Sequence, residues 1–146
     1  MRTNEPYNRF LDALADGGLD AGVACILKQV GPDVTGFVDF IVTAKRPLRI
    51  ECAPYQHDET HEPYIVLIID DDEDLTLAMP IVVAAKVSVL LQLIATKAES
   101  YHCFNRAKAY RILGNRIVKT IVKIMPEEMK AEMAKIKAIF PPVTRH

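Results

Sequence analysis

Tyr7, Phe10, Leu11, Leu14 and Ala15 recur at helical spacing (i, i+3, i+4, i+7, i+8), with Asn4 or Glu5 before Pro6 as a start and Gly17-Gly18 as a stop. One amphipathic helix is predicted there. Val23, Ile26, Leu27 and Val30 repeat the spacing between Asp20 and Gly31-Pro32, so the N-terminal segment reads as a tight helical hairpin.

From Gly36 the period changes. Phe37 to Thr43 is dense in β-branched and aromatic residues, Lys45-Arg46-Pro47 interrupts, and Leu48, Ile50 and Cys52 then alternate with Arg49, Glu51 and Ala53. Such a pattern predicts two strands of a hairpin with one wet face. After a polar stretch from Pro54 to Pro63, the run Tyr64-Ile65-Val66-Leu67-Ile68-Ile69 is apolar on both faces, as a central strand would be, and Leu75 to Met79 returns beyond an acidic turn. Short connections favour an antiparallel meander, because parallel strands need crossovers of about a dozen residues or more.

The remainder reads as helix: Ile81 to Lys97 after Pro80, a second stretch from Ser100 to Met125, and a third opened by Pro126. The third carries Glu127 and Glu128 in its first turn, sets Met129, Met133, Ile136 and Phe140 on one face, and ends at Pro141-Pro142. The expected architecture is α+β: an N-terminal helical hairpin, a four-stranded mainly antiparallel sheet over residues 36–79, and two to three C-terminal helices covering one face, with helix 81–97 in the core. Without repeats or linkers, residues 1–146 read as a single compact domain.

Composition narrows the class. Half the 146 residues are hydrophobic and 25% are charged, which is globular rather than disordered or fibrous. Cys25, Cys52 and Cys103 are odd in number, widely spaced and without a C-x-x-C pair, so neither a disulfide framework nor a zinc ribbon is indicated. The N-terminus leads into an amphipathic pattern rather than a secretory apolar core, and a cytoplasmic location is expected. Leu77 to Ala95 is apolar enough to suggest a membrane span, but Lys86 lies at its centre, flanked by Pro80 and Gln92. A mid-bilayer charge costs at least about 2.5 kcal/mol, a cost a buried core helix avoids, so no membrane partner is expected.

Charge is the most informative feature. Residues 1–74 hold six Lys/Arg against fifteen Asp/Glu, net −9, whereas residues 75–146 hold twelve against four, net +8. On a helical projection, Lys108, Arg111, Asn115, Arg116, Lys119 and Lys123 share an arc of roughly 140°, with Phe104 and Ile112 on the same arc and Ala107, Tyr110, Leu113, Ile117 and Ile121 opposite. Arg106 falls near the apolar side. A face of this kind suits phosphate or carboxylate recognition.

Other constellations lack the spacing their chemistry requires. Asp70, Asp72 and Asp74 mimic the first ligands of a calcium loop, but Leu75 stands where glycine is needed and Ile81 where the bidentate glutamate belongs. His57 and His61 are four apart between Pro54 and Pro63, in a loop rather than on the helix that would align them for zinc. Cys103 beside His102 points about 100° away from it on a helix, a poor nucleophile–base pair. No catalytic residue, metal site or cofactor is therefore assigned. The reading is a non-enzymatic interaction module, an adaptor or inhibitor, that binds an acidic protein surface or nucleic acid through Arg106, Lys108, Arg111, Arg116, Lys119 and Lys123. Two alternatives are a homo-oligomer assembled from complementary acidic and basic halves, and a small metal-dependent hydrolase or transferase built on Asp70, Asp72, His57 and His61.

Overall fold

In a computed structural model, which describes residues 5–15, 21–56, 58–124 and Ala134, Gly31-Pro32 ends one helix and begins the next. Helices α1 (Glu5–Ala15) and α2 (Ala21–Val30) follow the predicted periodicity but do not pack closely on each other as the expected hairpin, because α1 leans on a later helix and α2 packs against the helices that follow it. Gly31 then takes φ 92°, a left-handed value that glycine adopts without steric cost, and Pro32 sits in the first turn of α3 (Pro32–Thr43). The strand expected over Phe37–Thr43 is thus a helix. Its β-branched residues conceal a helical stripe, since Val34, Val38, Ile41 and Val42 lie at i, i+4, i+7 and i+8 and all four are buried. Tertiary burial of that stripe outweighs the modest helix propensity of valine and isoleucine.

Among the described residues the sheet accordingly has three strands, not four: β1 (Ile50–Gln56), β2 (Pro63–Ile69) and β3 (Thr76–Pro80), an antiparallel meander in the order β1-β2-β3. Its register runs from Ile50↔Ile69 to Gln56↔Pro63 on one side of β2 and from Tyr64↔Pro80 to Ile68↔Thr76 on the other. Between β2 and β3, Asp70 and Asp71 both adopt positive φ (54° and 58°) while Asp72 N–H donates to the Ile69 carbonyl at 3.0 Å. This is the primed turn that matches strand twist, and aspartate tolerates its left-handed positions. A 3₁₀ turn, Glu73–Leu75, leads into β3.

Pro80 ends β3 and starts α4 (Ile81–Ser100), which forms a helical hairpin with α5 (Phe104–Ile124). A Schellman motif joins them: His102 N–H bonds the Glu99 carbonyl (2.9 Å), Cys103 N–H bonds the Ala98 carbonyl (2.9 Å), and His102 takes φ 63° where glycine is usual. At the crossing, a Cβ on Gly114 would lie 3.2 Å from the Ser88 carbonyl and 3.0 Å from Gln92 Nε2, so any larger residue would have to push the Ser88 backbone aside by a few tenths of an ångström. The third C-terminal helix expected over residues 126–140 lies outside the described residues, apart from helical Ala134.

Both hairpin helices pack on one face of the sheet, burying Ile65, Leu67, Ile69 and Met79 against Leu90, Leu91, Ile117 and Ile121. Helix α2 packs on α4 and completes the core with Val23 and Ile26. By length and composition α4 could cross a membrane, and 56% of its most apolar 18-residue window is buried within the molecule. Helix α5 runs along β1, where Arg116 Nη1 donates to the Ile50 carbonyl (3.1 Å) and Cys52 Sγ lies 3.5 Å from Thr120 Oγ1.

Candidate functional site

Along α5, burial of Ala107, Tyr110, Leu113, Gly114, Ile117 and Ile121 fixes which arc meets solvent. Lys108, Lys119 and Lys123 are exposed on the opposite arc, and none forms an ion pair among the described residues. Between them stand large apolar side chains: Phe104 is 59% exposed, Ile112 44% and Val122 55%. The face is a mixture of cation and hydrocarbon.

The arginines behave differently. Arg111 turns back onto α4, where its Nη1 donates to Gln92 Oε1 (2.9 Å), its Nη2 to Thr96 Oγ1 (3.1 Å), and its Nε and Nη2 both reach the Glu99 carboxylate (3.3 and 2.9 Å). That pairing fixes the hairpin rather than presenting a free fork. Arg116 is exposed overall but lends one N–H to β1. Arg106 lies on the far side of the helix from Lys108 and Lys119, half-buried, with its guanidinium carbon 4.4 Å from the centroid of the Tyr7 ring and a hydrogen bond to the Ala44 carbonyl.

Arg106 belongs to a separate site at the end of α3, where helix geometry leaves carbonyls without intrahelical donors. Tyr7 shares its hydroxyl hydrogen between the Val42 and Ala44 carbonyls, 2.8 Å from each, and Tyr110 approaches Val42 at 3.4 Å. The guanidinium also complements the negative end of the helix dipole. Beside this cap opens a cleft of about 500 Å³, between the first half of α5 and the connector that carries Lys45, Pro47 and Leu48. Burial pushes the Tyr110 hydroxyl up to about 12, with Arg106 drawing it back, and raises Tyr7 in the same way. Sequence reasoning missed Tyr7, Lys45 and Tyr110; the available signal was Arg106 itself, a cation on an otherwise apolar arc.

The acidic run is held by its own half of the chain. Asp70 pairs with Arg46 (2.8 Å) and accepts from the Arg49 backbone N–H (3.0 Å), while Asp71 pairs with the Arg49 side chain. The Arg49 hydrogen bond, followed by the Arg46 contact, holds the Asp70 carboxyl below its ordinary range. Asp72 accepts from Asp74 N–H (2.9 Å) and caps the 3₁₀ turn. His57 lies outside the described residues, and His61 sits at φ 59° in the β1–β2 loop. Among the described residues, no three of His, Cys, Asp and Glu converge on a common point. Burial raises the Cys103 thiol above its usual value against the pull of Arg106 and Arg9, which favours the unreactive protonated form. Comparison with family models, with curated proteins and with solved structures finds no match.

Proposed function

We propose that this protein is a non-enzymatic interaction module whose exposed α5 face docks an acidic protein surface. The observation that carries the reading is the alternation on one arc of three exposed lysines, without ion pairs among the described residues, with Phe104, Ile112 and Val122. A protein interface combines an apolar centre with charged surroundings, and the lysines would select and steer a partner of opposite sign. Phosphate backbone is the weaker fit. With Arg106 and Arg111 engaged internally, α5 keeps fewer free cations, among the described residues, to neutralise phosphates, and affinity by counterion release scales with that number.

The test titrates the protein into a labelled amphipathic helical peptide bearing glutamate and leucine on one face, and separately into labelled single- and double-stranded oligonucleotides. Peptide binding that weakens with salt, and falls about tenfold or more in the Lys108→Glu/Lys119→Glu/Lys123→Glu variant, is expected. Oligonucleotide binding with a steep salt slope and no peptide binding would assign the face to nucleic acid. A mass that rises with protein concentration, and is reversed by the same variant, would assign it to a second copy of this chain.

A further inference from the structure

We propose that the cleft between the first half of α5 and the Lys45–Ile50 connector is a binding site for a small organic carboxylate with an apolar body. The cleft opens beside the α3 cap rather than among the lysines, although Phe104 borders both, and its volume of about 500 Å³ falls in the range of small-molecule sites. Among the described residues, no aspartate or glutamate lines it. Its charged lining residues are Lys45 and Arg106, so the charge it presents to a guest is positive. The rest of its wall is largely hydrocarbon, supplied by Ile41, Pro47, Leu48, Ile50 and Leu113.

Arg106 is the centre of the argument. Its guanidinium is half-buried and has no carboxylate partner among the described residues. A cation withdrawn from water without a counter-ion is left incompletely compensated, and the α3 carbonyls supply only partial negative charge. The Tyr7 ring beneath it and the Ala44 carbonyl beside it set its plane. Of its five N–H donors, those not committed to Ala44 remain for a guest. A fork fixed in advance loses little freedom on binding and matches the two oxygens of a carboxylate. Lys45 stands on the opposite lip, exposed and able to close on the same anion. The hydrocarbon wall then sets the second requirement, since inorganic phosphate satisfies the arginine but leaves that wall in contact with water.

The test is calorimetric titration of the full chain with octanoate and with benzoate, against octanol and inorganic phosphate as controls. One saturable site is expected for at least one carboxylate, with octanol and phosphate each weaker by about tenfold or more. Arg106→Gln is expected to weaken carboxylate binding about tenfold or more. Because Arg106 also caps α3, a second variant, Ala109→Trp, fills the cleft from its exposed wall while keeping every cap residue and is expected to abolish the same binding. Absence of binding by both carboxylates overturns the proposal. So does binding that survives Ala109→Trp, which would place the guest elsewhere, or phosphate binding as tight as the carboxylates, which would remove the role of the apolar wall.

Discussion

His102 occupies the position after α4 at which the chain must turn left-handed, and it does so at φ 63° with a full side chain. For an L-residue other than glycine this costs roughly 1 kcal/mol. His102→Gly is therefore expected to stabilise the protein by up to about 1 kcal/mol, part of the gain being offset by the greater freedom of glycine in the unfolded chain, as read from the urea midpoint at unchanged slope. Tyr110 makes a second prediction. Its hydroxyl is pushed up to about 12 by burial, from an ordinary value of 10.0, so the folded state holds the phenolic proton more tightly than the unfolded state does. The associated stability is whole below pH 10 and is lost as the pH climbs from about 10 toward 12, by a total on the order of 2 kcal/mol. Tyr110→Phe is expected to flatten this alkaline decline in unfolding free energy, leaving the smaller share due to Tyr7, which shifts in the same direction.

At the level of elements, periodicity made α1, α2, α4 and α5 legible, alternation marked the start of β1, the doubly apolar run Tyr64–Ile69 marked β2, and Leu75–Met79 beyond the acidic turn marked β3. Helix α3 was not, for two physical reasons. Gly31-Pro32 serves as stop and start at once, and the buried stripe of α3 is built from Val and Ile, which are favoured in strands when judged without their spacing. The basic arc of α5 was legible because a projection at 100° per residue needs no tertiary information. The inward turn of Arg106 and Arg111 was not, because Ala44, Gln92 and Glu99 approach them only through the fold. The α4–α5 contact makes its own prediction. Gly114→Val would drive methyl groups toward the Ser88 carbonyl, a backbone atom that cannot swing aside as Gln92 can. A loss of about 2–3 kcal/mol is expected in chemical denaturation, despite the better intrinsic helix propensity of valine.

Across the whole molecule, the polarity of the sequence is partly absorbed close to home: the acidic turn is held by Arg46 and Arg49 rather than by the basic helices. These pairs are exposed and add little stability each, so their role is to shape the turn. One consequence of the α5–β1 contact concerns growth rather than folding. Asp70 N–H bonds the Arg49 carbonyl, and antiparallel alternation then turns the backbone polar groups of Ile50, Cys52 and Pro54 away from β2, toward the open side of the sheet. There Arg116 occupies the Ile50 carbonyl, and Pro54 has no N–H to offer. An incoming strand meets a template with an acceptor already taken and a donor missing. Pro54→Val together with Arg116→Ala is expected to shorten the lag of thioflavin-positive fibril formation under agitation, while Lys108→Ala leaves it unchanged. Resistance to amyloid in this chain would then rest on a missing hydrogen and one borrowed guanidinium.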